Sequence, residues 1–454
     1  MRNLINYLDL VNKVIARAKA DGVEAEAYLN VGQESEIRVS RGNVEKLSQA
    51  GSKGIGVRVI VDGKVGYAYS SDFSDKSVDR LLEDAIALAG VADGDEFRRL
   101  PDPATISDED LAIYDPSIES LSAEDKVDMA KRLEQAALDY DPRVVVTNFC
   151  TLLSQSGEVA IANTRGVSGS YKKSFIGGYL MAMAQDGEDR AVAFHVGVSS
   201  WLKDFDPDAV GREAGKKAIS LLGGKPVPTQ RATVVYSPYA AHSVVGVLSS
   251  ALSAQSMQRS RSFLHGKMGE TVASDMVTLL DNGRLPGGLG TRPFDDEGVP
   301  TGATRLIDEG VLQAVLHDTY TATREGTNSS TGNAGRAGHT GLPSVSASNF
   351  YFQPGPQTAE DVIAGVERGL YVESVMNTHS INPINGDYSV SAVGYWIEDG
   401  KIVHPVNNVT IAISLQDWLH NVKAVADDLV FMPMGGAIGS PTIRVDNVMI
   451  AGVG

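Results

Sequence analysis

At 454 residues the chain is longer than one hydrophobic core usually organises, so two or three domains are expected. Its 43% hydrophobic and 21% charged residues are those of an ordinary globular protein, and a net charge of -17 excludes a general nucleic-acid partner, because such binding rests on Lys and Arg neutralising phosphates. The single cysteine, Cys150, excludes an internal disulfide framework and a thiolate-rich metal site, and predicts a reducing, cytoplasmic setting.

Near the start, Leu4, Leu8, Val11, Val14, Ile15 and Ala18 follow a helical period with charges between them, which predicts an amphipathic helix and no signal peptide. No apolar run approaches the roughly 20 residues that a membrane-spanning helix needs, so no membrane association is expected. Alternating segments from Glu24 to Ser70 predict an antiparallel sheet, with a tight turn at Asp62-Gly63. Ser74 to Gly90 reads as a capped helix, and the polar, proline-marked stretch from Asp93 to Ser107 as a connector. A second helix opens at Ser122 with Asp125 three residues on, the reciprocal capping arrangement. Strands punctuated at Ser156-Gly157 and Asp186-Gly187 follow to Ser199, then a helix from about Asp208 to Leu222. Two glycines and two prolines in Gly223–Pro228 mark the clearest boundary.

The remaining half is rich in glycine and in hairpin signals, at Glu309-Gly310 and Asp399-Gly400. Runs of strands with segregated helices predict an α+β, multidomain fold built on antiparallel sheets. The expected division is an N-terminal α+β domain over 1–107, a central α+β domain over 108–222 that packs with it as one unit or stands apart, and a β-rich domain over 223–454.

One stretch of that last part bears on chemistry. Ser237 and Pro238 predict a helix start after a short strand, and the helix, drawn to about Gln255, carries His242 early. A helix that binds catalytic zinc needs a second histidine about one turn on and a glutamate beside the first to activate water. Here Ser243 stands at the glutamate position, and Gly246 and Val247 follow. Serine is no base near neutral pH, and neither glycine nor valine ligates metal, so His242 taken alone reads as a structural residue.

The stretches SPYAAHSVVGVLSSALSAQ, TRPFDDEGVPTGATRLIDEGVLQAVLHD, STGNAG, INGDYSVSAVGYWIEDGKIVHPV and SPTIRVDNVMIAG occur in this order along the chain. In order, spacing and turn chemistry they resemble the TldD/PmbA family, known as modulators of DNA gyrase and as a metalloprotease pair, over nearly the full length. In the TldD branch the corresponding helix reads H-E-x-x-x-H, and a cysteine near the C-terminus completes the zinc site. This chain keeps only His242, and Val430–Thr442 contains no cysteine. It is therefore similar to the PmbA (TldE) branch, which lacks the metal motif. The resemblance implies a cytoplasmic subunit, inactive alone and without a metal or other cofactor of its own, that pairs with a zinc-bearing TldD-type protein, or with itself as a homodimer, to process unfolded peptides.

Peptide-contacting candidates come from two places. Asn385-Gly386-Asp387-Tyr388 reads as a compact turn leading into a strand, where a peptide adds to the backbone with Tyr388 as a platform, or where the tyrosine simply packs in a hairpin. Gly332 and Asn333 lie in a small, polar loop, 329–336, whose amides meet a peptide carboxylate or solvent. The remaining histidines form no ligand-spaced pair, the acidic groups Asp295-Asp296-Glu297 and Asp427-Asp428 read as solvent-facing or turn-capping, and Gly287–Gly290 as a flexible connector. Two other readings stand beside the non-catalytic subunit: a self-sufficient hydrolase built around His242, and a peptide-binding regulator.

Overall fold

The structure is a computed structural model that describes residues 6–327, 329–433 and 437–452. Helix α1 (Tyr7–Ala20) starts at Asn6, whose side chain accepts from the amides of Leu8 and Asp9, and it buries Val11, Val14, Ile15 and Ala18. That stripe lies on a six-stranded antiparallel sheet of β1 (Glu24–Ser40), β2 (Asn43–Val61), β3 (Lys64–Ser70), β4 (Val144–Asn163), β5 (Ser168–Asp186) and β6 (Asp189–Ser199), in the order β3-β2-β1-β4-β5-β6. The sheet is continuous across β1 and β4, so the strands before and after the long connector form one surface.

One face is apolar at both ends. Helices α1 and α2 (Asp75–Val91) cover Ala25, Ala27 and Leu29 of β1 with Ile55, Val57 and Val59 of β2. The short helix α3 (Pro116–Ser120), α4 (Ala123–Leu138) and α5 (Pro207–Ser220) cover Ile37, Leu152, Ile176 and Leu180. Each such aliphatic side chain contributes roughly 1.5–3 kcal/mol on full burial. The opposite face carries the alternate residues of the same strands, Glu26 and Tyr28 among them, and both are buried as well.

The second half supplies that cover. Strands β7 (Gln230–Tyr236), β14 (Arg368–Met376), β15 (Asp387–Glu398), β16 (Lys401–Ser414), β17 (Val422–Val425) and β20 (Ile443–Ala451) run in the order β16-β15-β14-β7-β20-β17, and a β16–β20 pairing closes five of them into a ring. A further sheet contains β8 (Leu279–Asn282), β9 (Ala303–Asp308), β10 (Val311–Leu312), β13 (Asn349–Phe352), β18 (Val430–Met432) and β19 (Ala437–Ser440), and β11 (Ala334–Gly335) pairs with β12 (Ser344–Val345) beside it. Helix α6 (Pro238–Ala251) lies between these sheets in the largest apolar core, with Tyr236, Phe350, Phe352 and Trp418. The architecture is α+β with antiparallel sheets predominating.

The turn chemistry works as the sequence predicts at Asp62-Gly63, Glu309-Gly310 and Asp399-Gly400, where both residues of each pair adopt positive φ and close two-residue hairpins. Two expectations are corrected. Ser156-Gly157 makes no turn: β4 runs straight through it, and the glycine serves a close approach, since a Cβ there would lie 2.7 Å from the Val31 carbonyl oxygen. The helix carrying His242 stops at Ala251, and a separate short helix, α7 (Ala254–Gln258), begins after Ser253, whose side chain caps it. No helix among the described residues is long and apolar enough to cross a membrane.

Candidate functional site

Helix α6 is positioned from its first residue. Ser237 Oγ accepts from the Ala240 amide at 3.1 Å and donates to the Glu373 carbonyl at 2.8 Å, while Pro238 occupies the first turn, where its missing N–H costs nothing. Ala240, Ala241, Val244, Val245, Leu248 and Ala251 turn into the core. His242 and Ser243 are half-buried on the remaining surface. Ser243 Oγ donates back to the Ala240 carbonyl at 2.8 Å, Gly246 leaves open space, and Val247 packs against the core. This face offers one imidazole and no carboxylate, a set that does not fit a zinc ion. Among the described residues no three His, Cys, Asp or Glu side chains cluster so as to hold a metal.

The stretch Val430–Thr442 passes α6 as β18 and β19, with α6 packed on both; Met434, Gly435 and Gly436 between them lie outside the described residues. Pro433 and Ala437, on either side of that gap, line a cavity of about 700 Å³. Its floor is the polar face of the first sheet, with Tyr28 from β1 and Tyr171, Lys173 and Phe175 from β5. Its walls are the loops around Leu289–Arg292, Gly335–Ala337 and Ser344–Ser348. A second cavity of about 360 Å³ shares Tyr28, Tyr171, Lys173, Phe175 and Leu289, so the two are adjoining sections of one cleft.

The cleft is walled by buried charge. Arg58 donates to Glu26 at 2.7 Å and to Glu297 at 3.0 Å, and Arg336 pairs with the other oxygen of Glu26 while its Nε donates to the Asp296 carbonyl at 2.9 Å. Arg292 pairs with Asp296 at 3.2 Å and donates to the Ala334 carbonyl at 2.8 Å. Asp295 accepts from the amides of Glu297, Val299 and Ala334, each at 2.9 Å. Burial, with Glu297 beside it, pushes the Asp295 carboxyl up. Burial acts on Glu297 in the same sense, but Arg58 and the hydrogen bond from the Thr319 amide outweigh it and hold that carboxyl below its ordinary range. The acidic group at 295–297 therefore does not face solvent, as its composition predicts; it bonds the two halves of the molecule together.

The loop residues behave likewise. Asp281 accepts from Ser348 N and Oγ, both at 2.7 Å, and from Asn333 Nδ2 at 2.6 Å; burial pushes its pKa up to about 6 against those bonds. Gly290, in the glycine run expected to be flexible, donates to Asn349 Oδ1 at 2.8 Å, and a Cβ on it would lie 2.1 Å from the Ser348 carbonyl oxygen. The run is a fixed wall of the cleft.

The sequence-derived peptide candidates land in two separate environments. Asn333 is 2% exposed and engaged by Asp281 and Ser346; Gly332 has a φ of 76° and closes on the Pro300 carbonyl. These two hold the wall from behind, while their neighbours Gly335 and Arg336 line the cleft. At the other place, Asn385 and Asp387 are exposed and bond each other, with Gly386 at a φ of 84° over the Gln416 side chain. Tyr388 is 2% exposed, in the apolar core with Tyr236, and so provides no platform. Strand β15 has β14 and β16 on its two sides, and its first residues also bond Ser380 and Asn382, which leaves no free edge there for an added peptide. Lys173, Tyr28 and Arg292 escaped the sequence reading, because Lys173 and Tyr28 on strands look like the solvent face of an amphipathic sheet and Arg292 like a loop cation; Asp296 reads there as a surface or turn-capping acid.

Comparison with known proteins places the whole chain among relatives. Residues 25–89, 116–222 and 229–452 match the profiles of PmbA/TldA metallopeptidase domain 1, central domain and C-terminal domain, in that order. The metalloprotease PmbA homologue of Haemophilus influenzae is 29% identical over 462 residues, covering 97% of this chain and 95% of its own. The metalloprotease PmbA homologue of Buchnera aphidicola from Acyrthosiphon pisum is 28% identical over 428 residues, 94% of this chain and 93% of its own. Among solved structures, a candidate modulator of a DNA gyrase from Thermotoga maritima superimposes with a TM-score of 0.90 at 27% identity, over 98% of this chain and all of that one.

Proposed function

Since the chain belongs to the PmbA/TldD metallopeptidase family, we propose that it is the non-catalytic, PmbA (TldE)-like subunit of a cytoplasmic zinc metallopeptidase that processes unfolded peptides. The zinc resides in a TldD-type partner, and this chain contributes a peptide-holding wall. The observation that carries the reading is helix α6, where Ser243, Gly246 and Val247 occupy the positions of a base and a second ligand, and Ser243 is already bonded to its own helix backbone. The cleft supports the second half of it: a walled space of about 700 Å³ is bordered by Pro433 and Ala437 of the β18–β19 segment, which packs on α6.

The test is zinc content by elemental analysis of the purified chain, together with cleavage of an unfolded peptide by the chain alone and after mixing with a relative bearing an intact H-E-x-x-x-H helix. Expected are no stoichiometric zinc, no cleavage alone, and cleavage in the mixture. Stoichiometric zinc and cleavage by the chain alone, both lost in His242→Ala, would establish a self-sufficient hydrolase instead; peptide binding without cleavage in either case would favour a regulator.

A further inference from the structure

The protein carries a net charge of -17, yet the 700 Å³ section of the cleft is lined by three cations, Lys173, Arg292 and Arg336, against one carboxylate, Asp296, with Glu158 in the adjoining section. The two arginines already have carboxylate partners. Arg336 is spent on Glu26 and on main-chain carbonyls, and Arg292 on Asp296 and the Ala334 carbonyl. Lys173 is different. Its ammonium donates to the carbonyls of Leu289 and Thr291 and has no ion-pair partner among the described residues. An ammonium carries three donors, so one is left for a ligand. Lys173 also lines both sections of the cleft, which puts it at their junction.

A half-buried cation without a direct ion-pair partner is costly. Burial and the neighbouring Arg292 push the Lys173 pKa down to about 8, with Asp296 opposing them. Asp296 and Glu158 line the cleft, but neither reaches ion-pair distance of the Lys173 ammonium, so a direct counter-charge is left to something that enters the cleft.

We infer that Lys173 is the anion-recognising residue of this cleft and that its ligand is the carboxylate of an extended peptide, either the C-terminal group or a Glu or Asp side chain. The choice of a carboxylate over a phosphate follows from the lining. One spare ammonium donor suits a monoanion, and Asp296 nearby repels a second negative charge. Tyr28, Tyr171 and Phe175 beside Lys173 give apolar surface for the side chain next to the carboxylate. The inference rests on the peptide-holding role proposed above and specifies what is held.

The experiment is fluorescence anisotropy with an N-terminally labelled, unstructured heptapeptide in four forms, free acid or amide at the C-terminus and Glu or Gln in the interior. The proteins are the full chain, Lys173→Met and Lys173→Arg. Removing the recognised carboxylate is expected to weaken binding to the unaltered chain about tenfold. Sensitivity to the amide identifies the terminal group and sensitivity to Gln the side chain. Lys173→Met should bind all forms alike, and Lys173→Arg should restore the discrimination. Equal binding of all four forms by the unaltered chain overturns the inference and leaves the proposed function standing, as does discrimination that survives in Lys173→Met. Should no heptapeptide bind, N-acetyl-leucine and its amide are compared: binding of the acid alone, lost in Lys173→Met, sustains the inference and removes the peptide-holding role, and binding of neither overturns both. Should Lys173→Met fail to fold, the four forms on the unaltered chain, with Lys173→Arg, still decide.

Discussion

Helix α6 and the cleft floor are built on opposite principles. On α6, six of fourteen residues are buried, all of them Ala, Val or Leu, and the rest, half-buried or exposed, include His242, three serines, Gly246, Tyr239 and Val247 but no charged side chain. At the cleft, Glu26, Arg58, Arg336, Glu297, Asp295, Asp296 and Arg292 are ionisable groups kept out of water by one another. An apolar helix is held by burial whatever its surface residues are. A buried charge network is costly to desolvate and survives only while every member has its partner. The difference teaches where substitution is tolerated: on the surface of the apolar helix and not within the charge network.

Breaking the network should therefore produce the largest effect. Arg58→Met leaves Glu297 without its cation and strips Glu26 of one of two, and a loss of about 3–5 kcal/mol of unfolding free energy is expected by urea denaturation. A loss below about 1 kcal/mol would mean that the network is solvated in solution, and the contrast with α6 would go.

The next effect is a pH dependence of unusual sign. The Asp281 pKa is raised in the fold from 3.8 to about 6. Its contribution to stability is complete below pH 4 and is lost as pH rises toward 6, a change of about 3 kcal/mol. Asp281→Asn should flatten that part of the stability-against-pH curve, measured by thermal unfolding from pH 4 to 7. An unchanged slope in the variant would assign it to another group.

The smallest effect belongs to α6. Ser237→Ala removes the bond from the Ala240 amide and the bond to the Glu373 carbonyl, and should cost about 1 kcal/mol. Peptide affinity should not change, since this helix end is core scaffolding. A fall in affinity with the fold intact would show that α6 still shapes the cleft.

Much of the local structure was legible in advance. The capping pair Ser122 and Asp125 forms as predicted, as do the hairpins at Asp62-Gly63, Glu309-Gly310 and Asp399-Gly400 and the start of α6 at Ser237-Pro238, because each depends on residues within a few positions of one another. Ser156-Gly157 misled because the same dipeptide serves a turn and a close strand approach, and only the neighbouring strand distinguishes them. Tyr388 misled for a related reason: a tyrosine after a tight turn is equally suited to a surface or a core, and here β15 turns it inward beside Tyr236.

By itself the sequence determined that α6 has no base and no second ligand, since no fold gives serine, glycine or valine the chemistry of glutamate or histidine. It also determined which residues of each strand share a face, because alternation is a property of the extended backbone. What covers that face was decided by the tertiary structure alone. Glu26 and Arg58 meet Glu297 and Arg336 across more than two hundred positions of chain, and Lys173 finds carbonyls and no carboxylate. Charge partners are chosen by distance in space, and local spacing in the chain carries no record of it.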